Sequence, residues 1–323
     1  MSRYLLLATA LMATFLAALC LGRIVVSFGD LAQVLRQGPE AKAWFLVHDL
    51  RLPRLLTALG AGAAFGLAGA ISQSLFRNPL AAPEMLGVTA GASLGAVAML
   101  VAGANGLAVT FGATGGAVVA TLVLLLLAGR APETSRLILT GIGISLTAGA
   151  LTGLLLSRAS DTLAGDAMLW LTGSLNGRHW PQARLIWAVL PLLLIATALA
   201  ARPLDRMELG DDLARSLGIP VQAARPLLIL LAAGLIAAGV AVTGPVGFVG
   251  LMAGPIARRL ANGTGPDLIG AAMIGALIML LADLLVTLSA PLALLPAGVF
   301  TGLMGAPWLI WLLWRDDTER TAA

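Results

Sequence analysis

Long apolar blocks separated by short polar breaks are the feature of this chain that most constrains its fold. The blocks run for roughly 17 to 25 residues, the length of helix that crosses a hydrocarbon layer ~30 Å thick. Hydrophobic residues make up 59% of the 323 residues and charged residues only 11%. Because a water-soluble fold of this size could not bury so much apolar surface, the sequence predicts an all-α integral membrane protein. We expect a single transmembrane domain over residues 1–323.

Breaks at charged residues or at Pro and Gly divide the chain into ten candidate spans, of which 246–262 is the shortest. They are 4–22, 55–76, 85–103, 107–128, 136–157, 183–201, 224–243, 246–262, 268–289 and 294–314. An even number of spans places both termini on one side of the membrane. The segments on that side hold more Arg and Lys than the opposite segments, which favours cytoplasmic termini.

The first span also resembles a secretory signal peptide, with Arg3 before an apolar run and Cys20 in the position of a lipoprotein acceptor. Against this, Leu19 precedes the cysteine where a small residue is expected, and the run is long enough to span a membrane. An uncleaved first helix is therefore the favoured interpretation.

Several classes of protein are disfavoured by composition. A net charge of +4 with scattered Arg residues does not predict a nucleic-acid surface. The single cysteine excludes an internal disulfide and a multi-cysteine metal site. No zinc-protease motif, phosphate-binding Gly-Lys-Ser loop or Ser/His/Asp set is present, and His48 and His179 fall in loops. We expect no enzymatic activity and no cofactor bound by this chain, so energy must come from another chain or an ion gradient.

Two arginines stand at the start of the second span, in Arg51-Leu-Pro-Arg54. Their guanidinium groups could anchor the helix to lipid phosphates. Alternatively, each could bind a carboxylate of an acidic partner in a bidentate way. A short amphipathic helix with Asp30 as its N-cap is predicted nearby in the chain.

Asp283 is the one carboxylate deep within an apolar span. Such a residue marks a functional site by default, for example a proton or ion relay. A lone acid is also what a buried hydrogen bond between two helices requires, and this structural role is favoured.

A polar stretch at about 203–223 contains a predicted short helix over Leu209–Gly218, with acidic residues in its first turn, a basic residue near its end and a glycine as its stop. It is either a solvated loop helix or a stub inserted into a cytoplasmic partner. The residues assigned to partner contact are Leu209, Gly210, Asp211, Asp212, Ala214, Arg215, Leu217 and Gly218. Small residues one turn apart, as at Gly62/Gly66, Gly91/Gly95 and Gly149/Gly153, predict close helix packing.

These motifs together resemble one family over essentially the whole chain: the permease subunits of bacterial iron–siderophore, haem and cobalamin ABC importers, known as the FecCD type. The pattern is most similar to hydroxamate-siderophore permeases. The motifs that carry the resemblance are Arg51-Leu-Pro-Arg54, Arg77-Asn-Pro-Leu-Ala-Ala-Pro83, Leu86-Gly-Val-Thr-Ala-Gly-Ala92, Trp170-Leu-Thr-Gly-Ser-Leu175, Gly210–Gly218, Gly244-Pro-Val-Gly-Phe-Val-Gly-Leu251, Ala282-Asp283 and Gly305-Ala-Pro307.

The resemblance implies a ten-helix type II ABC importer permease in the bacterial inner membrane. It implies a second permease subunit, a cytoplasmic ATPase dimer that binds ATP and Mg²⁺ and receives the Leu209–Gly218 helix, and a periplasmic binding protein with acidic residues for Arg51 and Arg54. The implied substrate is a ferric siderophore, with haem or cobalamin as alternatives. A gradient-driven secondary transporter that uses Asp283 is the alternative from a different class.

Three departures from the family pattern affect the expected assembly. Gly254-Pro255 replaces a usual Pro-His pair, Thr287 replaces a usual arginine, and Leu294 replaces a usual glutamate. Because Thr287 and Leu294 fall on the expected docking surface, a heterodimer with a complete second permease is favoured over a homodimer.

Overall fold

The computed structural model describes residues 2–129, 134–261, 265–289 and 295–321, with side chains from Arg3 to Trp314 within these ranges. Regular structure in the described ranges is entirely helical. The α-helices are α1 Ser2–Cys20, α2 Phe28–Gln37, α3 Leu52–Phe76, α4 Val88–Val101, α5 Leu107–Ala128, α6 Thr134–Leu156, α7 Asp161–Leu171, α8 Trp180–Leu199, α9 Ala201–Glu208, α10 Asp211–Ser216, α11 Val221–Thr243, α12 Val249–Ala261, α13 Leu268–Ser289 and α14 Ala297–Thr321. A 3₁₀ turn covers Gly38–Glu40 and another covers Pro83–Leu86, while a π-helical turn, Phe45–Arg51, leads directly into α3.

Eight helices in the described ranges are long and apolar enough to cross a membrane. The other two predicted spans, 85–103 and 246–262, contain α4 and α12, of only 14 and 13 residues. At 1.5 Å per residue each rises about 20 Å, less than the hydrocarbon thickness. An irregular segment precedes each: the Pro83–Leu86 turn before α4, and residues 244–248 before α12. The expected ten helices are therefore compatible with the structure, but two of them are discontinuous.

The start of α1 and the later part of α14 lie at one end of the bundle. Arg3 donates a hydrogen bond of 2.8 Å to the carbonyl of Ala261, the last residue of α12. Two residues earlier in α12, the Arg259 guanidinium lies 4.6 Å from the ring centroid of Trp311 on α14. We call this end, with α9 and α10, the terminal face, and the opposite end, where α3 begins and α13 ends, the distal face.

The centre of the bundle is α3, most of whose residues are buried. Glycines let it contact α13 backbone to backbone: a Cβ at Gly66 would lie 2.2 Å from the carbonyl oxygen of Ala271, and one at Gly62 would lie 2.5 Å from that of Gly275. Close approach of this kind stabilises helix association in lipid through dispersion. The packing predicted for these glycines is confirmed, whereas a Cβ at Gly149 or Gly153 of α6 would meet nothing within 4 Å.

The amphipathic helix on the distal side is α2, and its predicted N-cap was wrong. Ser27 is the cap, because its backbone is extended and its hydroxyl accepts from the Asp30 N–H at 3.1 Å. The Asp30 carboxylate accepts in return from the Ser27 N–H at 2.9 Å. This reciprocal capping box places Asp30 in the third helical position.

Candidate functional site

Arg54 and Asp283 form a buried ion pair between α3 and α13 near the distal face. The Arg54 Nε donates to the carboxylate oxygens of Asp283 at 2.8 and 3.0 Å, and an Nη2 lies 2.7 Å from Oδ1. The side chain of Asp283 is only 2% exposed and that of Arg54 is 23% exposed. Asp283 therefore joins two helices, as the favoured structural interpretation predicts. Its partner, Arg54, is one of the two arginines predicted to dock an acidic partner.

Arg51 is also engaged within the chain. It donates from its two terminal nitrogens to the carbonyls of Leu19 and Ile24, at the end of α1 and just beyond it. A cavity of about 360 Å³, which we call the distal cavity, opens beside these contacts. Its polar lining comes from Arg23, Arg51, Arg54, Asn176, Asp283 and Thr287. The structure thus brings both predicted docking arginines to one cavity, and their binding of an acidic partner stays a prediction.

The predicted short helix of the terminal face is confirmed as α10. Asp211 and Asp212 lie in its first turn, and Arg215 lies in its last turn, 2.7 Å from Asp212. Asp211 also accepts hydrogen bonds of 2.6 and 2.8 Å from Arg225 of α11, whose side chain is 9% exposed. Ala214 is fully buried. The acidic first turn and this alanine therefore attach α10 to the bundle at a fixed position.

Glycines at both ends of α10 have positive φ angles. Gly210, the N-cap, has φ +108°, and Gly218, beyond the C-terminus, has φ +82°. Only glycine adopts these conformations without strain. A Cβ at Gly218 would meet nothing within 4 Å, so the backbone conformation alone accounts for the glycine there.

Three exposed leucines lie on this segment, and we call them the leucine stripe. Leu209, just before the break at Gly210, is 59% exposed, and Leu213 and Leu217 are 48% and 44% exposed. Leu213 was missed by the sequence interpretation, although its spacing of four residues from Leu217 could have indicated it. An exposed stripe held by ion pairs at the end of a bundle is suited to contact another protein.

Glu84 was also missed, because the sequence places it in a simple turn between two spans. In the structure it is half-buried and lines a cavity of about 310 Å³, which we call the central cavity. Phe65, near the middle of α3, lines the same cavity. Thr89 and Phe248 line the same cavity, and Phe248 has a left-handed φ of +70°. A strained residue and an acid at a discontinuous helix are features of membrane binding cavities.

Comparison with known proteins identifies the chain. The model of the FecCD transport family matches residues 10–315. The chain belongs to the FecCD transport family. It is accordingly a permease of the ABC importer type, and a multi-pass membrane protein.

Similar proteins cover almost the whole of this FecCD chain. The ferric enterobactin transport system permease protein FepG of Escherichia coli (strain K12) is 38% identical over 98% of this chain and 96% of its own length. The vitamin B12 import system permease protein BtuC of Salmonella typhi is 37% identical over 95% of this chain and 92% of its own length. A solved structure described as an inward-facing metal-chelate type ABC transporter has a TM-score of 0.84 and 28% identity, with coverage of 97% of this chain and 98% of that chain.

Two of the departures from the FecCD pattern have visible surroundings. Thr287 lines the distal cavity and donates to the carbonyl of Asp283 at 2.9 Å. Gly254 faces Gln73, whose Oε1 lies 2.1 Å from where a Cβ would be. The third departure, Leu294, lies outside the described residues.

Proposed function

We propose that this chain is the permease subunit of a binding-protein-dependent importer of ferric siderophores in the bacterial inner membrane, with both termini in the cytoplasm. Cytoplasmic ATPases that bind ATP and Mg²⁺ drive it, and a second permease completes the translocation path. A periplasmic binding protein delivers the substrate to the distal face. The chain makes and breaks no covalent bond, and its two arrangements are biased by partners at opposite faces.

The observation that carries this proposal is the leucine stripe of α10 on the terminal face. Leu209, Leu213 and Leu217 are exposed, whereas Ala214 is buried and Asp211 is bound to α11. An apolar stripe on a segment that is fixed to the bundle fits a cleft in a partner and transmits the movement of that partner. A secondary transporter powered by an ion gradient does not need such a contact surface. In addition, the residue proposed as its ion relay, Asp283, is bound to Arg54.

Ferric siderophores are favoured as substrate because a relative of 38% identity is named for ferric enterobactin. Cobalamin is the second candidate, because another relative, of 37% identity, is named for vitamin B12. The resemblance of the chain to hydroxamate-siderophore permeases also favours the first.

The distal cavity supports a role in docking of the binding protein. Its lining holds Arg23, Arg51 and the Arg54–Asp283 pair, so it carries a net positive charge, which suits acidic residues of a partner. Thr287 provides only a hydroxyl where the family pattern has an arginine. A second, complete permease would supply the missing cation, so we propose a heterodimer.

Expressed with its ATPase alone, this chain should give little assembled complex, and co-expression with a related permease should restore assembly, as measured by copurification. An active complex with two copies of this chain would contradict the heterodimer.

The substrate is tested by transport into proteoliposomes that hold the permease pair, the ATPase and the binding protein. We expect ATP-dependent uptake of ferric trihydroxamate chelates in preference to haem and cobalamin. Uptake of cobalamin alone would show that cobalamin, and not a ferric siderophore, is the substrate. Uptake driven by an ion gradient without ATP would overturn the proposal.

The stripe is tested in the same vesicles by Leu213→Glu, with Leu213→Met as the matched apolar control. The charge should prevent ATPase binding and transport, because an unpaired carboxylate would enter an apolar contact. The Met variant should transport as wild type does. Equal transport by both variants would show that Leu213 of α10 does not contact the ATPase.

A further inference from the structure

A partly buried chain of polar contacts runs from the α9–α10 segment to the first turn of α12. Glu208, the last residue of α9, accepts a hydrogen bond of 3.1 Å from Arg258 Nη1 of α12. Arg258 Nη2 donates at 3.3 Å to Oε1 of Gln73, on α3. Gln73 is 1% exposed, and its amide nitrogen lies 3.2 Å from the carbonyl of Gly250 and 3.1 Å from that of Leu251.

The orientation of the Gln73 amide is fixed by its partners. A guanidinium can only donate and a backbone carbonyl can only accept, so Oε1 must face Arg258 and Nε2 must face α12. Rotation of the amide by 180° would oppose like groups at both ends. Gln73, on α3, therefore joins Arg258 near the end of α12 to the carbonyls in the first turn of that helix, and it does so in one orientation only.

The Gly254-Pro255 pair explains why Gln73 is needed at this position. Pro255 has no N–H, so it cannot donate to the carbonyl of Leu251 four residues earlier in α12. Gln73 supplies that missing donor at 3.1 Å. Gly254 provides the space, because a Cβ there would lie 2.1 Å from Gln73 Oε1. In a membrane an unpaired carbonyl is costly, so these three residues form one unit.

The first turn of α12 adjoins the central cavity. Residues 244–248 link α11 to α12, and Phe248, the last of them, lines the cavity together with Glu84. Since Gln73 binds carbonyls two and three residues beyond Phe248, a shift of α12 against α3 moves the cavity wall. Discontinuous helices of this kind are where transporters bind and release substrate.

We propose that Arg258 and Gln73 are positioning residues that couple movement of α9–α10 to the wall of the central cavity. When the ATPases displace the leucine stripe, Glu208 moves with it and draws Arg258, so that α12 changes its position against α3. The inference rests on the proposed function, because it requires an ATPase at α10.

The test measures cavity exposure and needs no knowledge of the substrate. In the full complex, Cys20→Ser removes the native thiol and Thr89→Cys places one in the cavity wall for a water-soluble maleimide. ATP with vanadate should change the labelling rate by about tenfold, within the usual range of coupling between sites. Arg258→Gln and Gln73→Leu should each abolish this change while ATP hydrolysis continues. Arg259→Gln is the matched control, since Arg259 contacts Trp311, and it should preserve the change.

A conservative substitution separates coupling from folding. Arg258→Lys keeps a charged donor for both Glu208 and Gln73 Oε1, so it should retain the ATP-dependent change that Arg258→Gln removes. Retention of the ATP-dependent change in Arg258→Gln would overturn the inference. A parallel loss of ATP hydrolysis and thermal stability in Arg258→Gln and Gln73→Leu would also overturn it. If the reference complex, which carries only Cys20→Ser and Thr89→Cys, shows no ATP-dependent change, the proposed function fails instead.

Discussion

The two faces of the bundle use ion pairs in opposite ways. At the distal face, Arg54 and Asp283 neutralise each other between α3 and α13, with Asp283 2% exposed. At the terminal face, Asp212 is fully exposed and Arg215 is 53% exposed, while Asp211 attaches the segment to α11. The distal pair therefore stabilises the bundle, and the terminal charges hold a surface in place for a partner.

The difference changes how the distal arginines are to be tested. Reversal of Arg54 would put a second carboxylate beside Asp283 and would damage the fold whatever the role of Arg54 in docking. Arg51 donates to carbonyls, so its substitution leaves no buried charge unpaired. Only Arg51 gives a clean measure of docking.

The largest effect is expected from Asp283→Ala, which leaves the Arg54 guanidinium without its partner in the bundle. Breaking a buried pair on one side costs about 3 kcal/mol, and thermal unfolding of the purified permease in detergent should show a large fall in midpoint. Asp283→Ala combined with Arg54→Leu should recover much of the loss, because no buried charge then remains. Equal instability of the single and double variants would contradict a stabilising pair.

At the terminal face, Gly218→Leu should uncouple ATP hydrolysis from uptake while the permease still reaches the membrane. A leucine at φ +82° costs about 1–2 kcal/mol in backbone strain and would reorient the chain after α10. Gly218→Asn is the control, because asparagine adopts this conformation at less cost than leucine does. The measurement is the ratio of uptake to ATP hydrolysis. A wild-type ratio for the leucine variant would show that Gly218 has no role in coupling hydrolysis to uptake.

A smaller effect is expected from Arg51→Glu on the affinity of the binding protein. Exposed ion pairs contribute about 1 kcal/mol or less, so a weakening of about fivefold is expected at low salt. An acidic-to-basic change on the binding protein should partly rescue it, and added salt should reduce the difference. Anchoring of Arg51 to lipid head groups predicts no rescue.

The smallest effect is expected from the exposed capping box of α2. Hydrogen bonds from the Ser27 hydroxyl and backbone N–H lower the pKa of Asp30 below its ordinary value. A lowered folded-state pKa adds stability at neutral pH, and that contribution is lost as the pH falls below about 4. The unfolding midpoint of Asp30→Asn should differ slightly from wild type at pH 7 and converge with it in acid. A difference as large as that of Asp283→Ala would show that charge, and not burial, dominates at the distal face.

Much of the fold follows from local sequence. Eight of the predicted spans are found as membrane-length helices in the described ranges, because hydropathy over about 20 residues decides whether a helix can span. The helix α10 was predicted from its acidic first turn and terminal glycine, which act within a single turn. The discontinuity at α4 and α12 was not predicted, because apolar composition alone does not separate a helix from an unwound segment buried in protein.

What the sequence determined by itself is membrane insertion, the positions of most spans, the capped helix of the terminal face and the FecCD resemblance. The tertiary structure alone decided the partners of the buried polar groups. Arg54 and Asp283 are 229 positions apart, and Gln73 is 177 positions from Gly250. Their contacts depend on the close approach of α3 to α13 and α12, which glycines permit at a distance of a few ångströms. Hydropathy and capping act within one helix, whereas the choice of a buried partner depends on which helices pack together, so only the folded bundle reveals it.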